Sequence, residues 1–287
     1  MLAIYRKEIK SYASSMLTYV LVAALLLSMG LFTVIVNLWS GYTEFASVLV
    51  AMKWVLLAVI PILTMRLIAE ERHNRTDLLI YSLPIPMRSI VFGKFLAAVT
   101  VFLIPTAVSA LYPLLLSLFG EVSLAASYTA LLGYFLMACA LIALCLFVSS
   151  LVENQILALV LGVVSIVLFC FMTAIAEILP SSSTFSFVFC TALVLLAGLI
   201  LIPVTKNTVV SLLLALILDI PTVILYLVKP AMFESLVPRV LEKLDVFARM
   251  NGFVRGYLDV KGVVFYLGFT AFFLFLTVWS AERRRLV

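Results

Sequence analysis

Residues 124–150 read LAASYTALLGYFLMACALIALCLFVSS. The run contains no Asp, Glu, Lys, Arg or His. A helix that crosses the hydrocarbon core of a bilayer needs about 20 mostly apolar residues, and this run exceeds that. In lipid the backbone must satisfy its own hydrogen bonds, so such a run is read as a spanning helix. The rest of the chain has the same character. Of 287 residues, 66% are hydrophobic and 11% are charged, with a mean hydropathy of +1.28. A soluble domain carries about 25% charged residues. So few charges cannot cover a water-exposed surface, and lipid must be the solvent for most of this chain.

Eight apolar runs are long enough to span: 17–38, 47–69, 90–118, 124–150, 154–178, 184–203, 207–228 and 260–281. The third is long and holds Pro105 and Pro113, which predict a kink or a tilt. The first exceeds the usual signal-peptide core of about 7–15 residues and has no clear small-residue cleavage site, so it is expected to be retained. The fold class that follows is an all-α polytopic membrane protein, with 1–287 as one transmembrane domain.

Loop charges set the expected orientation. Arg6, Lys7 and Lys10 precede the first run; Arg66, Arg72, Arg75 and Arg88 fall between the second and third, with Lys94 just beyond. Lys206 precedes the seventh, and Arg283, Arg284 and Arg285 end the chain. In an eight-span chain with the N-terminus inside, all of these are cytoplasmic, as basic loops prefer. The opposite short loops hold Glu44, Glu121 and Glu177 and no Lys or Arg. Both termini are thus expected in the cytoplasm. Segment 229–259 opposes this reading: it must lie outside, yet it holds Lys229, Arg239, Lys243, Arg249 and Arg255.

Three segments are not spans. Residues 2–16 place Tyr5, Ile9, Tyr12 and Met16 at helical spacing with Arg6, Lys7 and Lys10 between. This is either an interfacial helix in the headgroup layer or a simple basic flank. Residues 238–250 are expected to form a second amphipathic helix, begun by Pro238 and ended by Asn251-Gly252. Within 70–86, Thr76 can cap a short helix whose apolar side holds Leu78, Leu79, Tyr81 and Leu83, ended by Pro84 and Pro86. Ringed by Glu70, Glu71, Arg72 and Asp77, it suits a docking element, or else an ordinary membrane-proximal loop.

Chemistry-bearing motifs are sparse. His73 is the one histidine, which excludes a multi-histidine metal site. Cys139, Cys145, Cys170 and Cys190 all lie in apolar runs without a C-x-x-C pair and read as packing residues. No catalytic cluster is evident, and the net charge of +5 fits basic loops rather than nucleic-acid binding. Asp219 falls mid-span beside Ile220-Pro221. A charge there costs about 2.5–3.5 kcal/mol on insertion scales, so it should meet a substrate, a partner or another helix.

The stretch from Arg66 through Glu70-Glu71-Arg72 to Thr76-Asp77-Leu78-Leu79, Pro84 and Gly93-Lys94 resembles the signature region of ABC-2-type transporter permeases. Arg6-Lys7-Glu8-Ile9 with Ser14–Val20 is similar to the N-terminal interfacial helix of that family, and Ser149–Gln155 to its second cytoplasmic loop. Arg255–Val260, Ala271–Thr277 and Arg283-Arg284-Arg285 resemble the gliding-motility and copper-processing branch. The likeness covers 1–178 and about 249–287. It departs from the family at Asn74-Arg75, where a glycine is common before the threonine, and at Asp77, where glutamate is common.

The resemblance implies a six-span core with an added helix pair at 184–228, in the plasma membrane. It implies a permease subunit of an ATP-driven exporter, working as a pair of identical or homologous subunits. ATP and Mg would be bound by a separate ATPase, since the chain has no G-x-x-x-x-G-K-[ST] and is not itself an enzyme. The ATPase contacts implied are Glu70, Glu71, Arg72, Thr76, Asp77, Leu79 and Tyr81, with Glu153 and Asn154 in the second loop. Arg239, Arg249 and Arg255 are candidates for an extracytoplasmic or membrane-anchored partner. Two alternatives remain open: relay of ATPase work to such a partner without transport, and secondary transport through Asp219.

Overall fold

The computed structural model describes residues 1–41, 44–74, 85–205 and 208–285, with side chains described outside 196–215 and 284–285. It is 82% helix, with no strand among the described residues. Among the described residues, four helices are long and apolar enough to cross a membrane by themselves, and up to seven spans result if each bent pair counts as one. The chain is therefore an all-helical, membrane-embedded protein. It divides into two compact units, 1–169 with 246–287, and 170–245.

In the larger unit, α1 (Leu2–Ser14) precedes α2 (Met16–Thr33), which continues through wider π turns at Val34–Trp39. The expected span 47–69 is broken: α3 (Phe45–Met52) and α4 (Leu56–Thr64) are separated at 53–55, and the pair bends by 57°. In the break, Trp54 and Val55 donate to the carbonyls of Ala51 and Met52, three residues back. Lys53 is thereby turned to within 5.7 and 5.6 Å of the Trp54 and Phe247 rings. Then follow a short α5 (Ala69–His73), α6 (Met87–Ser109), α7 (Leu111–Leu116), α8 (Leu124–Leu151) and α9 (Gln155–Cys170). The third expected span breaks at Ala110, ahead of Pro113, whereas Pro105 is carried inside α6. The fifth ends as a helix at Cys170 and resumes as α10 (Met172–Ile178).

In the smaller unit, α10 is followed by α11 (Ser183–Thr205), α12 (Thr208–Val228) and α13 (Leu236–Leu244). Phe187 stacks on Tyr226 at 4.3 Å, and Phe233 meets both rings edge-on, which fixes α11 and α12 as an antiparallel pair. A turn at 230–233 separates α12 from α13, and the stretch 230–244 lies at 112° to 216–228. The single helix expected over 238–250 is not formed. It stops at Leu244, because the next residue, Asp245, is buried and accepts hydrogen bonds from the Thr173 backbone N–H and hydroxyl at 3.3 and 2.6 Å.

The chain returns to the larger unit through α14 (Met250–Val254) and α15 (Val260–Arg285). Asn251-Gly252, expected to end a helix, lie inside α14. Phe253 explains why this segment is held: it is fully buried between two glycines. A Cβ on Gly133 of α8 would stand 2.5 Å from the ring, and one on Gly262 of α15 would stand 2.6 Å away. Fourteen and eleven residues further on, Phe147 and Phe273 meet at 5.8 Å. The helices α8 and α15 therefore run parallel. The end of α15 thus falls at the same end of this unit as Ser149 and Ser150, which also receives α1 and α5.

Candidate functional site

That end of the larger unit is where charge enters the protein. Helix α1 lies against the start of α6 with Ile4 pressed on Gly93, where an added Cβ would be 3.1 Å away. This close approach sets Glu8, on the inner face of α1, beside Lys94. Lys94 is only 2% exposed. Its ammonium has three protons and three acceptors: Glu8 Oε1 at 3.0 Å, Glu71 Oε2 at 2.8 Å and the Leu67 carbonyl. Lys7 closes the group from the rim, 2.8 Å from Glu71 Oε1 and 3.8 Å from Glu8. Two cations and two carboxylates thus form a neutral network across α1, α5 and α6.

The charges perturb one another. Burial drives the Glu71 carboxyl upward, but Lys94 and Lys7 outweigh it and hold the group below the usual carboxylate range. Burial lowers Lys7, and its pairing with Glu71 and Glu8 more than reverses this, so it titrates above an ordinary lysine. Tyr12, whose hydroxyl donates to the Leu63 carbonyl at 2.9 Å, is pushed up by burial and then by Glu8.

Helix α5 is fixed on its other side as well. The Ala69 N–H donates to Ser149 Oγ at 3.2 Å, and Arg72 Nη1 donates to the Ser150 carbonyl. Just before α5, Arg66 reaches Ser15 Oγ at 3.1 Å and stands 4.0 Å from Glu70. Between α1 and this stretch is a cleft of about 240 Å³, lined by Lys7, Ser11, Ser15, Thr18, Arg66 and Glu70 among others. Three residues of α5, Ala69, Glu71 and Arg72, are thus tied to α1, α6 and α8.

Of the coupling residues expected from sequence, Glu71 and Arg72 are inside this joint and Glu70 is at its rim. Thr76, Asp77, Leu79 and Tyr81 lie outside the described residues. In the second loop, Asn154 caps α9: its Oδ1 accepts from the Ile156 N–H at 2.9 Å, while Glu153 is exposed. Asp219 is half-buried, and its carboxylate accepts from Thr222 on its own helix. The three arginines expected to meet a partner fall in both units. Arg239 is exposed on α13; Arg249 lies over the Phe265 ring at 5.2 Å; Arg255 is exposed, near Glu44 and Ser123 around an open pocket of about 480 Å³.

Lys7, Glu8 and Lys94 are members of this network that the sequence does not mark as site residues. Glu8 follows Tyr5 by three and precedes Tyr12 by four, so it belongs to the apolar stripe of α1 and not to its basic side. Lys94 sits near the start of an apolar run, where a buried ionisable group calls for a named partner. No protein-family model, curated protein or solved structure matches this chain.

Proposed function

We propose that the chain is the membrane subunit of an ABC-2-type, ATP-driven transporter, working as an exporter in the plasma membrane. A separate ATPase docks on segment 70–86 and binds the nucleotide and Mg. Two such membrane subunits, identical or homologous, flank the pathway. The observation that carries this reading is the joint at α5. A docking helix is useful only if its motion reaches the spans, and α5 is connected to α6 by the buried Lys94–Glu71 pair, to α8 by the Ala69 and Arg72 hydrogen bonds, and to α1 by Lys7–Glu71 at the rim. Closure of the ATPases would push this segment, and the rigid joint would shift the spans between two states.

The eight-span topology with both termini cytoplasmic belongs to the same proposal. That α1 and the end of α15 share one end of the larger unit favours an even number of crossings. In this proposal α2, α3–α4, α6–α7, α8, α9 and α15 would supply six, and α11 and α12 the remaining pair. The basic residues Lys7, Arg66, Arg88 and Arg283 cluster at that shared end, which favours the cytoplasm for it.

The test is co-purification of the ATPase from native membranes. Leu79→Asp would bury an unpaired carboxylate in the docking contact and should lose the ATPase while inserting normally. Thr76→Ala, which removes only a cap, should be intermediate, at about 1 kcal/mol. Full retention with Leu79→Asp would refute docking at this segment.

A second reading is supported by α13. Its inner residues Val237 and Pro238 are buried, while Arg239, Val240, Glu242 and Lys243 face outward. An extracytoplasmic partner bound there would receive ATPase work without transport. Arg239→Glu with Lys243→Glu should then strip that partner from the purified complex, and unchanged composition would exclude this reading.

A further inference from the structure

We propose that the groove between α6 and α15 is a binding site for one anionic phospholipid. Its headgroup would lie at Arg88 and Arg283, and an acyl chain would lie along the groove. The two helices face each other through matching stripes: Arg88, Phe92 and Phe95 on α6, and Leu267, Ala271, Leu274, Val278 and Glu282 on α15. These are spacings of three and four, so each set follows one helical face. The stripes enclose a groove of about 560 Å³. Phe95, Leu274 and Val278 are buried and make its floor, while Phe92, Phe275 and Trp279 stand exposed at its rims. Ala271 is the reason for the hollow: it is the small residue between Leu267 and Phe275 on the same face.

The occupant follows from the chemistry along the groove. From Leu267 to Glu282 the helix rises about 22 Å, more than the roughly 15 Å depth of one hydrocarbon leaflet. The deeper part is lined by carbon alone apart from Thr270. Polar character appears only at the end shared with the basic cluster, where Arg88 is exposed and Arg283 is held over the Trp279 ring at 4.5 Å. Glu282 is the opposing charge at that end, leaving one cation in excess. A molecule that is apolar for the depth of a leaflet and anionic at the headgroup level is an anionic phospholipid. A tryptophan with a stacked arginine suits the headgroup boundary, where amphipathic rings settle. This inference rests on the membrane-embedded fold and the groove, and it holds whether or not the chain is a transporter.

The experiment uses the full chain in vesicles of phosphatidylcholine with and without phosphatidylglycerol, followed by native mass spectrometry of the released protein. The wild type should retain one phosphatidylglycerol and no phosphatidylcholine at equal supply. Each of Arg88→Gln and Arg283→Gln should weaken retention about fivefold, from roughly 1 kcal/mol per basic residue at the surface. Glu282→Gln should strengthen it. Ala271→Trp leaves both arginines and fills the hollow, so it should abolish retention; Ala271→Leu, a smaller change, should weaken it in a folded protein even if the tryptophan variant misfolds. Equal retention of the two lipids by the wild type would overturn the proposal. So would unchanged phosphatidylglycerol in folded Ala271→Trp or Ala271→Leu. Loss of an oligomer in these variants with lipid retention unchanged would assign the groove to a second copy instead.

Discussion

The two ends of the larger unit handle charge in opposite ways. At the end that receives α1 and α5, charge goes inward: Lys94 and Glu8 are buried and paired, and the pairs cross from one helix to another. At the other end, cations stay against aromatic rings, Lys53 over Trp54 and Phe247, and Arg249 over Phe265. There the helices are joined by fit, with Phe253 seated between Gly133 and Gly262. A buried ion network has one arrangement that satisfies it, so it transmits displacement and resists slippage. A ring in a glycine socket holds by contact and specifies position without coupling charges. A joint that must carry force is best built in the first way.

The comparison breaks most visibly at Lys94. Lys94→Ala leaves Glu8 and part of Glu71 buried without their cation, and removing one partner of a buried pair costs about 3–5 kcal/mol. Thermal unfolding in detergent should show this as the largest loss of any single change at either end. Gly133→Ala, at the other end, forces a methyl into the Phe253 ring and should cost about 1–3 kcal/mol by overpacking.

Acid should separate the ends further. The Glu71 carboxyl is held below its ordinary 4.5, so its contribution is full above that pH and lost as pH falls through the depressed value. Lys7 is raised above its ordinary 10.5, so its contribution is full below that pH and lost as pH rises through the raised value. The contribution of these two groups should therefore be flat between about pH 5 and pH 10 and fall outside it. The acid limb should vanish in Glu71→Gln and persist in Gly133→Ala. An acid limb of equal size in Glu71→Gln would assign it to another group. The acid loss should be smaller than that of Lys94→Ala, because Glu8 and the Leu67 carbonyl still hold the ammonium. The smallest effect is expected for Lys53→Met, which keeps the apolar stem and removes a cation–π interaction worth about 0.5–1 kcal/mol. A loss of several kcal/mol there would show that charge couples this end too.

The long apolar runs were legible because length and hydropathy are local properties. The run 124–150 is found as Leu124–Leu151 and 260–281 within Val260–Arg285. The breaks were not legible where no proline marks them. The interruption at 53–55 depends on where Lys53 and Trp54 find Phe247, almost two hundred residues away in the chain. The end of α13 depends on Thr173, which Asp245 caps from afar. The same holds for the site. Glu71 and Arg72 stood out as a charged cluster, but their connection to Glu8 and Lys94 is made by the crossing of α1 and α6 at Gly93, which periodicity within one segment cannot reveal.

The central claim is that the joint at α5 carries ATPase work to the spans. The most direct test is ATP turnover by the purified complex carrying Glu71→Gln, beside Glu70→Gln as a change at the exposed rim. With the joint loosened, Glu71→Gln should keep the ATPase bound but lose most of the turnover that depends on the membrane subunit, while Glu70→Gln behaves as the wild type. Wild-type turnover in Glu71→Gln, with the ATPase bound at full occupancy, would contradict the claim.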